Sequence, residues 1–228
     1  MSSLATESPL DKASSFLEAP IGKKAVMAVT GVILFGFVLG HLAGNLQIFL
    51  GPARLNEYAE MLRSVPKALW AARIILLIAV AMHIVSSVQL TRLKQSARPV
   101  GYTKTGYVQA TYASRTMMWS GPIIAAFIVY HLLDFTFGTV NPNFQPADVY
   151  ANVIASFKRP LVSASYMIAV SLLGVHLYHG LWSMFQSLGI AHPKYTPKFK
   201  TFAKVFAVGV TIGNVSIPLA VVTGLVGY

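Results

Sequence analysis

The sequence predicts an all-α membrane protein with five transmembrane helices, the first four of which form a bundle. Of the 228 residues, 55% are hydrophobic and only 11% are charged, which is typical of an integral membrane protein rather than a water-soluble domain. Five apolar runs each approach the ~20 residues that cross a bilayer. These runs are residues 25–50, 68–91, 116–137, 161–187 and 202–226. We therefore expect a single membrane domain over residues 1–228.

The basic residues indicate how this domain is oriented. Residues 1–22 are polar and have no basic segment before an apolar run, so they are interpreted as a cytoplasmic tail and not as a signal peptide. Twelve of the 18 Lys and Arg lie at this tail or in the connections after the second and fourth runs: Lys12, Lys23, Lys24, Arg92, Lys94, Arg98, Lys104, Arg115, Lys194, Lys198, Lys200 and Lys204. By the positive-inside rule, the amino terminus is cytoplasmic and the carboxyl terminus is outside. The net charge of +11 then reflects topology and not a nucleic-acid interface.

Two segments outside the apolar runs have helical character. Residues 141–157 begin with a turn-rich Pro and Asn cluster and continue with apolar residues at helical spacing, so we expect them to cap the outer face. In the tail, residues 10–17 are compatible with a short interfacial helix or with disorder.

Five of the six histidines lie inside the apolar runs. They are His41 in the first run, His83 in the second, His131 in the third, and His176 and His179 in the fourth. An imidazole at membrane depth is costly, and it usually faces the bundle interior and binds something. Counting about 1.5 Å per residue from the cytoplasmic ends separates two layers. The first and third helices supply the outer layer, and the second and fourth supply the inner layer.

The layers predict two bis-histidine haem sites. In a bundle of sequential neighbours, helices one and three are diagonal, as are two and four, so each layer offers two imidazoles across the core. We expect His41 and His131 to bind an outer haem iron, and His83 and His176 to bind an inner one. The chain has no cysteine, which excludes thiolate ligands, and zinc usually recruits three or four close ligands. His179 lies one turn nearer the cytoplasmic rim, where it faces a propionate or solvent.

Glycines accompany these histidines. Gly174 and Gly180 lie on either side of His176 and His179 and leave a surface without side chains, against which a planar cofactor can lie. In the first helix, Gly36, Gly40 and Gly44 form a small-residue ridge around His41.

The chain resembles the single-chain, five-helix, dihaem cytochrome b subunit of succinate:quinone oxidoreductases, a family that includes fumarate reductases. The resemblance rests on the segments HLAGNLQIFLG, IAVAMHIVSS, SRTMMWSGP, IVYHLLDF and GVHLYHGLWSMFQSLG, which contain the four paired histidines. It implies two haem b groups with the same ligand pairs, His41 with His131 and His83 with His176. The position of His179 is not a ligand in that family.

The resemblance also implies a function and a location. It implies a multi-pass membrane anchor in the cytoplasmic (inner) membrane of a prokaryote, which docks a flavoprotein subunit and an iron–sulfur subunit on the cytoplasmic side. Such an anchor is the quinone-reacting, electron-transfer part of the enzyme, and menaquinone is the favoured quinone. Membrane lipid is the remaining expected partner, and no nucleic acid is expected.

An outer haem has a purpose only if electrons travel outward, so we expect quinone to bind beside His41 and His131. Polar candidates near that layer are Glu57 and Glu60 in the first outer connection, and Arg73 in the second run. The same residues are also compatible with solvated loop acids and an interfacial arginine.

Two other functions fit part of the pattern. The cytochrome b subunit of a membrane hydrogenase or formate dehydrogenase also stacks two haems, but it needs a different histidine distribution and lacks the HGLWSMFQ segment. A haem-free transporter or structural anchor would use the histidines as proton relays. A reduced-minus-oxidised visible spectrum separates the latter, because it gives no b-type band.

The first prediction concerns topology. A reporter fused after Tyr228 should be active only on the outer side of the membrane, because an odd number of spans follows a cytoplasmic amino terminus. Paired fusions of a cytoplasm-active and an export-active reporter measure this. Cytoplasmic activity at Tyr228 would contradict both the helix count and the depth argument.

Overall fold

A computed structural model describes residues 15–97 and 112–227 of the chain. The proposed interfacial helix at residues 10–17 lies largely outside this part, as does most of the connection between the second and third runs. The orientation predicted above defines the inner end of the protein, where the first spanning helix begins, and the outer end, where it finishes.

The described residues contain seven α-helices of at least nine residues and no strand. They are α1 (Pro20–Asn45), α2 (Pro52–Arg63), α3 (Pro66–Ser96), α4 (Tyr112–Phe135), α5 (Val149–Phe157), α6 (Pro160–Ser187) and α7 (Thr196–Val222). A 3-10 segment, Leu46–Leu50, extends α1. Five helices are long and apolar enough to cross a membrane, namely α1, α3, α4, α6 and α7. The predicted all-α membrane fold with five spanning helices is confirmed.

Proline and glycine set several helix limits. Proline occupies the first turn of α1, α2, α3, α6 and α7, where its missing N–H costs no hydrogen bond. Gly51 has φ 94°, in the left-handed region that favours glycine, and separates the 3-10 segment from α2. The helices extend past the predicted spans at the inner end, since α3 continues to Ser96 and α7 begins at Thr196. Polar turns there prolong the helices beyond the apolar segments.

The spanning helices pack in the order that the histidine argument requires. Helix α1 packs along α3, and α4 packs along α6. Helix α1 also contacts α6, so α1 and α4 are diagonal, as are α3 and α6. Helix α7 lies against α6 and completes the fold outside the four-helix bundle.

Short helices and the connection between α4 and α5 form an outer cap, defined here as α2, residues 136–148 and α5. Residues 141–157 lie at the end of the bundle where α1 finishes, in agreement with a cap, and α2 is an additional element. Asn56 of α2 donates from Nδ2 to Asp148 Oδ1 at 2.9 Å and accepts from the Tyr150 N–H at 3.0 Å. Asp148 also caps α5 by accepting from the Ala151 N–H at 2.8 Å. The two short helices are therefore joined by their polar groups.

The most buried apolar cluster lies under the outer cap. Its members are Ile48, Leu55, Tyr150, Ile154, Phe157, Tyr166, Ile217 and Val221. In the middle of the spans, by contrast, large apolar side chains face outward, as Leu77 does at 72% exposure. These outward side chains suit contact with lipid.

A buried carboxylate ties the cap to the bundle. Asp134 of α4 is fully buried and accepts from Ser156 Oγ at 2.5 Å, Tyr166 Oη at 2.9 Å and Arg159 Nη2 at 3.1 Å. Arg159 also donates from Nη1 to the Val140 carbonyl at 2.8 Å. We call Asp134, Ser156, Arg159 and Tyr166 the Asp134 cluster. It joins the end of α4, the end of α5 and the beginning of α6.

The second prediction compares two ion pairs. Arg159→Leu leaves a buried carboxylate without its cation, so unfolding free energy should fall by about 2 to 4 kcal/mol, less than for a fully enclosed pair because Arg159 is 32% exposed. Arg54→Leu is the matched control. Its pair with Glu57 spans 3.6 Å and is 63% and 66% exposed, so the loss should stay below about 1 kcal/mol. Chemical unfolding in detergent measures both, and equal losses would contradict the assignment.

Candidate functional site

The outer layer brings His41 of α1 against His131 of α4. Their ring centroids are 5.7 Å apart, with the planes at 85°. Aromatic rings surround His131: Phe135 at 5.4 Å, Phe127 at 5.8 Å and Tyr166 at 5.9 Å. The buried Nδ1 of His131 has no hydrogen-bond partner among the described residues. The orientation of this imidazole therefore depends on packing.

The other member of the outer pair borders open space. The His41 ring stacks on Phe37, with centroids 5.1 Å apart and planes at 22°. His41 nevertheless remains exposed, although its ring faces His131.

The inner layer brings His83 of α3 against His176 of α6, with ring centroids 6.4 Å apart and planes at 55°. His83 Nδ1 lies 3.1 Å from Thr30 Oγ1 of α1. The Thr30 hydroxyl lies 2.8 Å from the Val26 carbonyl of its own helix. When it donates there, it accepts from His83 Nδ1, and Nε2 is the ring nitrogen left for a ligand.

His176 is held in the same way from the other diagonal helix. Its Nδ1 lies 3.3 Å from Ser120 Oγ of α4, and Ser120 is 1% exposed. Each inner-layer imidazole is therefore anchored by a hydroxyl on a helix that supplies the outer layer. A hydrogen bond to one ring nitrogen fixes the ring and directs the other nitrogen toward a ligand.

The ring separations of both pairs suit a metal ion bound by two imidazoles. Metal–imidazole bonds are about 2 Å long, so two imidazoles on opposite sides of one ion have centroids roughly 6 Å apart. The measured separations of 5.7 Å and 6.4 Å lie close to that value. A metal ligand needs a ring nitrogen that is not used in a hydrogen bond. At His131 this is the unpartnered Nδ1. At His83 and His176, Nδ1 is bound to a hydroxyl, so the other ring nitrogen is the one that would bind.

The structure corrects the prediction that Gly174 leaves a surface for a planar cofactor. A Cβ added at Gly174 would collide with Thr211 Oγ1, so this glycine admits α7 and does not provide a surface for a cofactor. Gly44 similarly admits the ring of Tyr58, while Gly36, Gly40 and Gly180 border open space. Close helix packing, and not a planar ligand, accounts for Gly174 and Gly44.

The two remaining histidines lie outside the pairs. His179 lies one turn inward from His176 on α6, and it is His176 whose ring faces His83. His192 belongs to the connection between α6 and α7, where its Nδ1 accepts from the Lys194 N–H at 3.2 Å.

The three residues predicted for the quinone site are all exposed. Glu57 pairs with Arg54 on α2, and Glu60 follows on the same helix. On α3, the Arg73 guanidinium lies over the Trp70 ring, 5.0 Å from its centroid. The structure does not bring these three side chains to His41 or His131, and their role stays a prediction.

Sequence reasoning missed the groups that support the histidines. Asp134 is absent from the predicted site residues, yet it lies one turn beyond His131 in the run IVYHLLDF. An acid so close to a membrane histidine is itself a signal of a functional or buried polar site. Thr30 and Ser120 give no comparable signal, because hydroxyls in spanning helices commonly bond to their own backbone.

The chain was also compared with known proteins. The family model described as the succinate dehydrogenase/fumarate reductase transmembrane subunit matches residues 95–213, which is more than half of the chain. The match includes α4 and α6, with His131 and His176. No curated protein and no solved structure matches the chain.

The third prediction follows from the hydroxyl anchors. Thr30→Val keeps the shape of the side chain but removes the acceptor for His83, so metal affinity at the inner pair should weaken about 10- to 100-fold. Redox titration should show a shifted midpoint potential for the proposed inner haem and an unchanged midpoint potential for the proposed outer haem. Thr223→Val is the control, since that hydroxyl bonds only to its own helix. Equal shifts at both haems would show that Thr30 has no specific role.

Proposed function

The chain belongs to the family of succinate dehydrogenase/fumarate reductase transmembrane subunits, and we propose that within this enzyme it carries electrons between the iron–sulfur subunit and a membrane quinone. One observation carries the proposal. Histidines from four helices meet in two diagonal pairs, at 5.7 Å and 6.4 Å, at two depths of one bundle. Two haem b groups, when bound there, supply one-electron carriers at two depths of the membrane.

The chain's own residues hold each site in a different manner. At the inner layer, Thr30 and Ser120 form hydrogen bonds with Nδ1 of His83 and His176, which fix the orientation of both rings. At the outer layer, His131 is held by aromatic rings and His41 by stacking on Phe37. The outer cap excludes water above this layer.

The expected orientation also suggests where the partner subunits bind. The connection between α6 and α7 and the first turn of α7 carry Lys194, Lys198 and Lys200 at the inner end. Lys200 lies over the Trp182 ring at 4.7 Å, so part of this basic surface has a fixed position. We propose that the flavoprotein and iron–sulfur subunits dock here, on the cytoplasmic side of a prokaryotic inner membrane.

The quinone is proposed to react beside the outer pair. Oxidation of succinate to fumarate releases two electrons and two protons, and reduction of quinone to quinol takes up the same number. Menaquinone is the favoured quinone. Family membership favours this function over a hydrogenase or formate dehydrogenase subunit and over a haem-free transporter.

The fourth prediction tests the ligands. His41→Ala or His131→Ala should remove one haem, and His83→Ala or His176→Ala the other, because each iron needs both axial nitrogens. His179→Gln is the matched control on the same helix and should keep both haems. Haem content per assembled complex, together with the low-spin visible spectrum, measures this. Two haems retained in assembled His176→Ala protein would contradict the proposal.

A further inference from the structure

We propose that the quinone ring binds in a membrane-facing groove between α4 and α6, beside the outer histidine pair. This inference rests on the proposed function and adds the location of its substrate. The outer groove, as we call it, has a volume of about 460 Å³ and is lined by α4 residues from Ile123 to Tyr130 and α6 residues from Leu161 to Ala169. That volume lies in the range of small-molecule sites, roughly 300 to 1,000 Å³.

Phe127 connects the outer groove to the histidine layer. This residue lines the groove, and its ring centroid is 5.8 Å from that of His131 and 4.9 Å from that of Tyr166. A planar ligand in the groove would therefore be separated from the His131 imidazole by the thickness of one aromatic side chain.

Tyr130 supplies the polar group that a quinone requires. A quinone ring carries carbonyl oxygens that accept hydrogen bonds, and the Tyr130 hydroxyl lines the groove without a hydrogen-bond partner among the described residues. The other hydroxyl of the groove, Ser165 Oγ, already donates to the Val162 carbonyl at 2.7 Å. Tyr130 is therefore the available donor in an otherwise apolar site.

The surroundings of the groove select a ligand that dissolves in lipid. Leu161 at its edge is 87% exposed and Ile123 is 44% exposed, both on membrane-spanning helices. The outer cap lies above, so the open side of the groove faces the bilayer. A quinone with an isoprenoid tail can enter from that side, whereas a water-soluble substrate cannot.

The same pair of helices offers a matched comparison. A second groove, of about 390 Å³, lies nearer the inner end and is lined by residues including Tyr112, Thr116, Met167 and Ser171. It therefore also holds a tyrosine, whose ring lies 5.9 Å from the Arg115 guanidinium, but it does not lie beside the outer histidine pair. We call it the inner groove. Similar helices, lipid exposure and size make it a control for acyl chains, which would fill both grooves.

The test uses a photoreactive azido-menaquinone with the purified, assembled complex. After illumination, labelled peptides are mapped by mass spectrometry. We expect label on residues 123–130 or 161–169. Ala126→Phe, at an exposed position of the outer groove, should reduce this labelling at least tenfold and raise the KM for quinone. Ser171→Phe, at an exposed position of the inner groove, should leave both unchanged.

The Tyr130→Phe variant removes the proposed hydrogen bond but keeps the aromatic ring, so the shape of the groove is preserved. Loss of one hydrogen bond worth about 1 kcal/mol should weaken azido-menaquinone binding about fivefold, with the labelled peptides unchanged. Haem content and dye-linked succinate oxidation should remain normal in all three variants, which shows that the proposed function persists. Absence of haem or of quinone reduction in the unaltered complex would instead contradict the proposed function.

Three outcomes would contradict the proposal that quinone binds in the outer groove. One is labelling of residues 54–73, which would favour Glu57, Glu60 and Arg73. Another is labelling of the inner groove. The third is labelling that excess phospholipid displaces as well as menaquinone does, which would identify an acyl-chain groove. If Ala126→Phe does not assemble, the labelled peptides of the unaltered complex decide the question.

Discussion

The carboxylate of Asp134 is the contact on which the outer half of the molecule depends. It is fully buried, and its oxygens accept from a serine of α5, a tyrosine of α6 and the guanidinium of Arg159. A charge at membrane depth persists only when such partners satisfy it. These donors come from separate helices. The hydrogen bonds that stabilise the buried carboxylate therefore also fix the positions of those helices relative to one another. The same tyrosine, Tyr166, then packs its ring against His131.

The two histidine layers show different solutions to one problem. At the proposed haem sites, an imidazole has to be fixed in orientation without occupying the nitrogen that binds the metal. At the inner layer hydroxyls do this, through directional bonds across helices. At the outer layer the shape of an aromatic cluster does it, and Asp134 holds one member of that cluster in place. Polar substitutions should therefore act locally at the inner layer, whereas changes in the Asp134 cluster should reach the outer layer through packing.

The parts predicted from sequence are those with a periodic or additive signal. The lengths of the apolar runs predict the five spans, and the distribution of Lys and Arg predicts an orientation. Counting residues along each run predicts that His41 and His131 lie at the same depth. Long-range packing gives no such signal. Gly174 was interpreted as a ligand surface because sequence shows a missing side chain but not that Thr211 fills the space. Asp134 was missed because its partner Arg159 lies 25 residues further along the chain.

The outer end is closed toward water and open toward lipid, and this asymmetry constrains the chemistry. The buried cluster, the joined helices α2 and α5 and the Asp134 cluster fill the space above His131. On the membrane side, by contrast, Phe127 lines the outer groove and has its ring centroid 5.8 Å from that of His131. In the proposed function, the reactant that exchanges electrons at this layer comes from the bilayer, and its polar atoms need donors at that depth. Tyr130 meets that requirement, whereas Glu57, Glu60 and Arg73 are exposed on α2 and α3, away from the groove.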